Sequence, residues 1–534
     1  MGVIRNIINR LRQGGAALGV IQSLNKVTDH PKIAINSKEY DRIADNLKYF
    51  EGDFPNVKYR NTYGRELTRP FNSLNIAKVS VRRLASIIFN EQMKFEIKGN
   101  VAANDFVHDT LTNNGFLKNF DEYLESCLAL GGLSMRPYYD GKKIDISYIQ
   151  APVFYPLRSN TNDISEAAIV SVTTQTKGNK EYYYTLIEFH EWEGDTYVIT
   201  NELYESTEKD VVGTKVALNT VYKDLQERVP ITGLSRPLFV YLKPFSKNNK
   251  DITSPLGLSI YDNAKNTMNL INEIHDQFKW EFKIGQARIG VTDDMLTTKL
   301  DENDNIIQYF DTDQNIFVNM GDKQDGGAVG NLTVPIRSSD FIAGMTSSLK
   351  VFEMEIGLSS GTFSFDSKGL RTATEIVSEN SMTYQTRNSH LSNVERAIKE
   401  LIISILELAK GIVVEGGKNL YSGEIPKFDD ITLNFDDGVF LDKTAQLDYW
   451  SKAAAAGFVS KQYVMKEALD LSDEQIKEIQ IQVRQEQQPA LDPFDASMYS
   501  NTPQEDDKSV SDDNGEEDFK EEVLGMLDDL MKGI

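Results

Sequence analysis

The chain has 534 residues, a net charge of −23, one cysteine and five histidines. The single Cys127 excludes an intramolecular disulfide and a cysteine-based zinc cluster, and it reads as a small buried hydrophobe on a helix, near Tyr123, Leu124 and Leu128. The acidic balance excludes tight binding of nucleic acid over the whole surface, because that affinity comes from Lys and Arg contacts to phosphate, and no apolar run reaches the ~20 residues a membrane span needs.

Residues 1–36 form a basic, sparsely apolar arm. Val3, Ile4, Ile7, Ile8 and Leu11 are set against Arg5, Arg10 and Arg12, without the continuous apolar core or cleavage site of a signal peptide. Helical spacing follows over 37–50 and 72–90, the second with Leu74, Ala77, Val81, Leu84, Ala85 and Ile88 on one face and Lys78, Arg82 and Arg83 opposite, as a solvated face. Further helices are expected over 101–113 and 116–130, the last stopped by Gly131-Gly132. The texture then changes. Stretches 143–149, 167–175, 181–192, 196–204, 215–221 and 238–242 are rich in Val, Ile, Thr and Tyr, with Glu193-Gly194-Asp195 as a turn, and read as an antiparallel sheet of successive hairpins. Residues 37–245 are thus α+β, helices first and sheet second, and a polar connector, 243–254, follows.

The most definite layout runs from 254 to 411. A helix is expected from about Ser259, capped by Ser259 with Asp262 three residues on, and carrying Ile260, Ala264, Met268, Ile271, Ile274, Phe278 and Phe282 on one face up to Gly285. Residues 286–337 alternate strand-like pieces (287–291, 306–310, 316–319) with polar turns, and 321–330 reads as a mobile Gly- and Asp-rich tip. A second helix, 339–357, carries Phe341, Ile342, Met345, Leu349, Phe352 and Ile356. Then comes a Gly-flanked loop, and Thr372-Ala373-Thr374-Glu375 matches a capping box opening a helix free of Gly and Pro to Lys410. A strand at 431–435 and three short helices (442–456, 460–468, 472–488) follow. Beyond 489 the chain holds fourteen Asp and Glu against three Lys, a net of −11, and reads as largely disordered apart from a possible terminal helix through Phe519, Val523, Leu527 and Leu530.

Catalytic patterns fail on context. Gly357-Leu358-Ser359-Ser360-Gly361 has the letters of a nucleophile elbow, but that elbow needs a strand before it and a helix after it; here a helix precedes and a loop follows, and His390 falls inside the long helix. Asp301-Glu302-Asn303-Asp304-Asn305 begins like an EF-hand loop, but Ile306 stands where the loop needs Gly and Thr312 where it needs Glu. His190-Glu191 lacks the second His of a zincin, and no phosphate-binding glycine motif is present. The reading is of a non-enzyme without cofactor or metal. What remains is a mechanical layout: long helices, an excursion, and a loop carrying Lys368 and Arg371.

The segment from Ser254-Pro255-Leu256-Gly257-Leu258-Ser259-Ile260-Tyr261 to Phe278-Lys279-Trp280-Glu281-Phe282, with Gly357-Leu358-Ser359-Ser360-Gly361-Thr362-Phe363-Ser364-Phe365 leading into Thr372-Ala373-Thr374-Glu375, resembles portal proteins of tailed bacteriophages, of the siphophage type found in Gram-positive hosts. Asn75-Ile76-Ala77-Lys78 through Phe89-Asn90-Glu91 fits the same type, and the resemblance covers roughly 40–490. It implies an α+β, portal-type ring subunit: an α/β wing (37–253), two stem helices (254–285 and 338–357), a small α/β clip (286–337), a tunnel loop (358–371), a long wing helix with a wing strand (372–438), a helical crown (439–488) and an acidic tail (489–534). It further implies a homo-oligomeric ring, a dodecamer in the virion, assembled in the host cytoplasm and seated at one capsid vertex among the major capsid and scaffolding proteins. The clip would dock the terminase large subunit during packaging and the head–tail adaptor afterwards, with no membrane involved. The tunnel loop, Thr362, Phe363, Ser364, Phe365, Asp366, Ser367, Lys368, Gly369, Leu370 and Arg371, would line the channel around double-stranded DNA. Lys368 and Arg371, repeated around a ring, would form a belt of weak, salt-screened phosphate contacts; the plainer reading is a solvated loop or a salt bridge to Asp366. Competing readings are a capsid-associated scaffold or adaptor without a DNA channel, and a serine hydrolase using Ser359.

Overall fold

Side-chain caps open two of the four leading helices. After a short strand β1 (Ser23–Leu24), helix α1 (Ser37–Glu51) opens at Asn36, whose side-chain oxygen accepts from the Lys38 amide, and closes at Gly52 in the left-handed region. A hairpin, β2 (Val57–Arg60) with β3 (Glu66–Arg69), leads to α2 (Ile76–Ile88). Strand β4 (Lys94–Ile97) precedes α3 (Val101–Asn113), where Asn100 accepts from Ala103 N at 3.0 Å, and α4 (Phe116–Leu130), which ends at Gly131 with φ 90°. Cys127 is buried on α4, as its sequence neighbours predict. On the opposite face of α2 Arg82 and Arg83 are exposed, while Lys78 pairs with Glu125 and lies 4.7 Å over the Phe50 ring.

The sheet region is longer than the sequence texture suggests. Strands β5 (Leu133–Tyr139) and β6 (Ile144–Gln150) form a hairpin that β13 (Val240–Leu242) joins. Strands β7 (Phe154–Asn160), β8 (Asp163–Lys177), β9 (Lys180–Glu193), β10 (Thr196–Ser206) and β11 (Gly213–Val216) run antiparallel in the order β1-β11-β10-β9-β8-β7, with β12 (Arg228–Ile231) also paired to β10. Strands β5, β7 and β12 lie outside the expected set, and each contains a proline: Pro137, Pro156 and Pro230. Proline lacks the ladder N–H and is tolerated where one side of a strand is unpaired. Strands β7 and β12 sit at sheet margins, and Pro137 lies past the point where β13 leaves β5.

Helix α5 (Lys265–Ile284), five short strands and helix α6 (Ser338–Glu355) follow. Of the strands, β14 (Ile289–Val291) runs parallel to β17 (Phe317–Asn319) and antiparallel to β18 (Val329–Asn331), while β15 (Thr297–Leu300) and β16 (Ile306–Tyr309) form a hairpin. Helix α7 (Ser381–Gly411) is 31 residues long. Strand β19 (Ile431–Asn434) returns to pair with β4, Ile431 opposite Ile97. This computed structural model describes residues 23–60, 64–90, 92–160, 163–286, 289–291, 297–300, 306–309, 317–319, 329–331, 333–364, 381–413, 417–435, 443–469, 471 and 473–486. The expected capping box at 372–375, most of the 321–330 tip, the EF-hand-like stretch 301–305, the first 22 residues and the acidic tail lie outside the described residues.

The chain divides into units 1–436 and 437–534. The core of the first gathers Phe116, Phe120, Leu124 and Leu128 of α4 with Leu401, Ile402, Ile405 and Leu406 of α7. Every residue from 401 to 409 is buried, so α7 is a core helix at this end. In the second unit, α8 (Lys443–Ala455), α9 (Lys461–Leu469) and α10 (Asp473–Glu486) follow one another, and Trp450 meets Tyr463 edge-on with ring centres 5.5 Å apart.

One close approach decides how α5 leaves the core. Gly131 and Gly257 are packed backbone to backbone: a Cβ on Gly131 would stand 2.6 Å from the Gly257 carbonyl oxygen, and one on Gly257 would collide with the Gly131 carbonyl and stand 2.7 Å from Lys243 Cβ. Beside this contact Arg42 Nη1 donates to Asp262 Oδ2 at 2.6 Å, Asn46 donates to the same oxygen, and Ile260 N donates to Leu128 O at 3.0 Å. The Ser259–Asp262 cap exists, with Ser259 N on Asp262 Oδ2 at 2.8 Å and Tyr261 N on the Ser259 hydroxyl. The regular helix nevertheless starts at Lys265 rather than near 259. The preceding residues are turns whose groups bind α1 and α4. Gly257→Ala is expected to cost about 2 kcal/mol or more through overpacking, read as a lower denaturant midpoint; an unchanged midpoint would show that the contact can relax.

Candidate functional site

Helices α5 and α6 run antiparallel. Phe278 stacks on Phe341 with ring centres 5.2 Å apart, and a Cβ on Gly344 would lie 3.9 Å from Ile274. Near the excursion, Arg337 donates through Nε and Nη2 to the two Glu281 carboxylate oxygens, each at 2.9 Å, a bidentate pair that holds that carboxyl below the usual range. The expected apolar stripes do not stay buried along their length. Met268, Ile271, Leu349, Phe352 and Ile356 are in the core, whereas Phe282 and Ile342 are more than half exposed. The pair therefore projects from the core and leaves apolar surface at its far end.

The hairpin β2–β3 braces α5 from the side. Arg69 reaches Asp276 with two bonds of 2.6 Å, and Asn72 adds its amide and its side chain. Arg69 also lies 4.9 Å over the Trp280 ring, which meets Tyr59 edge-on. The Arg69 hydrogen bonds lower the Asp276 pKa to about 2. Such a depressed carboxylate contributes stability in full above its unfolded pKa near 4 and loses it as pH falls toward 2.

The segment after α6 is held from both sides. Gly357 takes φ 76°, and its carbonyl accepts from Thr386 Oγ1 at 2.6 Å. Ser359 and Thr383 exchange bonds, Ser359 N to Thr383 Oγ1 at 2.8 Å and Thr383 N to Ser359 Oγ at 3.2 Å. From the α6 side comes Glu353, whose side chain is fully enclosed. Its carboxylate accepts from Gly361 N at 2.9 Å, from Ser364 N at 2.9 Å, from Phe363 N, and from Ser364 Oγ at 3.4 Å. Gly361, at φ 89°, takes a conformation that L residues disfavour and that turns its amide toward the same oxygens.

Of the sequence-predicted loop residues, Thr362 and Phe363 are half-buried and Ser364 is buried at this root. Phe365, Asp366, Ser367, Lys368, Gly369, Leu370 and Arg371 lie outside the described residues. Sequence reasoning missed Glu353, Thr383 and Thr386. The one signal for Glu353 was a carboxylate between Phe352 and Ile356 on an apolar helix face. Ser359, the elbow candidate, is 3% exposed and occupied by Thr383. His390 accepts from Phe245 N at 3.1 Å through Nδ1, and burial drives its pKa down to about 4. Neither group meets the other in a nucleophile–base contact. Among the described residues no group of three or more His, Cys, Asp or Glu is placed to hold a metal ion. The arrangement can hold and aim a chain segment.

Two substitutions test these contacts. Arg69→Ala leaves Asp276 with only its Asn72 partners and is expected to cost about 3 kcal/mol and to weaken the loss of stability between pH 4 and pH 2; denaturant titrations at several pH values measure both. Ser359→Ala strips Thr383 N of its acceptor and is expected to cost about 1–2 kcal/mol; an unchanged unfolding midpoint would remove the staple.

The family model described as phage portal protein, SPP1 Gp6-like, matches residues 29–489. That range takes in α1 through α10, the excursion between α5 and α6, and the segment held by Glu353. No curated protein sequence matches the chain. No helix among the described residues is long and apolar enough to cross a membrane. With most of its length matched, the chain belongs to the phage portal protein family.

Proposed function

We propose that this chain is one subunit of a dodecameric ring at a single capsid vertex, forming the channel through which double-stranded DNA is packaged and later ejected. Family membership supports a structural component of the virion. The observation that carries the finer reading is the antiparallel α5–α6 pair, with a small strand-built excursion at one end and a two-sided loop root at the other. In this reading 254–285 and 338–357 are the stem and 37–253 the wing. Residues 286–337 are the clip that docks the terminase large subunit and then the head–tail adaptor. Residues 358–371 are the tunnel loop, 372–438 the long wing helix and its strand, and 439–488 the crown. Assembly proceeds in the host cytoplasm together with capsid and scaffolding proteins.

The electrostatics suit a conduit. A chain of net charge −23 repels DNA over most of its surface. Lys368 and Arg371, repeated around the ring, then supply contacts that are individually weak and screened by salt. DNA is guided without being held.

Electron microscopy of the assembled protein is expected to show annular particles, and a stable monomer under all assembly conditions would overturn the ring. Lys368→Ala combined with Arg371→Ala is expected to leave rings intact and to lower the DNA packaged or retained per capsid several-fold. Normal packaging in that double variant would remove the role given to these two cations.

A further inference from the structure

Glu353 occupies an unusual position. It stands in the last turn of α6, between Phe352 and Ile356, both buried in the core. A carboxylate in such a place is costly unless hydrogen bonds take up its oxygens. Among the described residues those bonds come from Gly361, Phe363 and Ser364, three amides within four residues, and from the Ser364 hydroxyl. Amides converging in this way form a concave anion site, here filled by the protein's own side chain. Gly361 makes the convergence possible, because its φ of 89° is a conformation other residues avoid.

The contacts on the other side of the segment are of a different kind. Ser359 and Thr383, and Thr386 with Gly357, join residues 357–359 to the start of α7 by neutral bonds. Gly361, Phe363 and Ser364 are held by Glu353, from α6, while Thr362 donates to the Ser359 carbonyl. One stretch of eight residues thus carries two separate anchors, one to each helix.

We propose that Glu353 is the positioning residue of the DNA-facing loop: its carboxylate, by gathering the Gly361, Phe363 and Ser364 amides, fixes the path of residues 361–364, the root of the stretch that carries Lys368 and Arg371 in the sequence. The inference rests on the conduit reading above for what the loop meets, but not for the anchor itself. Glu353→Gln keeps the size of the side chain and replaces one acceptor oxygen by an NH2 group that cannot accept from a backbone amide. Gly361→Ala disturbs the same site from the amide side and leaves the carboxylate unchanged.

The experiment is hydrogen exchange of the full-length assembled protein, followed by mass spectrometry of peptides spanning 357–364, with packaged DNA per capsid measured in parallel. In Glu353→Gln the amides of Gly361, Phe363 and Ser364 are expected to exchange at least about tenfold faster, the opening of a local anchor, while the Ser359 amide, held by Thr383, keeps its rate. Gly361→Ala is expected to give the same pattern, and both variants to form rings and retain less DNA. A general loss of stability would accelerate both sets of amides together and would overturn the positioning role, as would unchanged exchange at 361–364. If Glu353→Gln fails to assemble, Gly361→Ala decides by the same two criteria. The two readings fail separately. Fast exchange at 361–364 with normal packaging in both Glu353→Gln and Lys368→Ala/Arg371→Ala keeps the anchor and removes the DNA contact. Impaired packaging in the double variant with unchanged exchange in Glu353→Gln does the reverse.

Discussion

Two glycines without side chains decide where the projecting helix pair begins. Gly131 ends α4 and Gly257 precedes the turns into α5, and their backbones touch. No other residue fits either position without moving a carbonyl, so the exit point of α5 is fixed against the buried end of α4. Charge reinforces geometry there. Arg42 joins Glu39 and Asp262, all nearly enclosed, and Asn248 and Ser254 complete the Glu39 carboxylate. Enclosed ions of this kind add little net stability over apolar packing, but they penalise any misplaced arrangement heavily. The result is a definite orientation rather than a larger stability.

The same device recurs along the helix pair. Asp276 is held by Arg69, Glu281 by Arg337, and Glu353 by backbone amides. Each carboxylate sits on or at the end of a stem-like helix, and each fastens a different neighbour: the β2–β3 hairpin, the entry to α6, and the segment after α6. An acidic chain has used several of its many carboxylates as internal fasteners. That use suits the proposed conduit, which would bind its own parts firmly while letting a polyanion pass.

Much of this was legible before any coordinates. Helices α1 to α4 and α6 announce themselves by apolar spacing and helical pattern, and two of them by Gly131 and Gly357 as stops. Strands with alternating β-branched residues, such as β8 to β10, were equally readable. What escaped has physical reasons. Pro137, Pro156 and Pro230 argue against strands unless it is known which strand sides are unpaired, and that is a tertiary fact. Strand β4 is four residues long and exists because β19 lies beside it. The start of α5 moved to Lys265 because Ile260 and Ser259 spend their amides on α4 and Asp262. The role of Glu353 depends on how the chain turns after Gly357, which periodicity does not encode. The letters of a serine elbow at Ser359 proved to be part of that turn.

The pairing of β4 with β19 has a bearing on how the protein is made. Asn100 also donates to the carbonyl of Glu424, a bond spanning 324 positions, and the buried stretch of α7 completes a core begun by α2 and α4. A growing chain therefore lacks the α7 part of this core, and the strand that pairs with β4, until the segment beyond residue 400 has emerged. Such long-range closure is slow and leaves apolar surface open while it waits. The first unit closes only once residues 401–436 have been made, so its folding waits on chain completion.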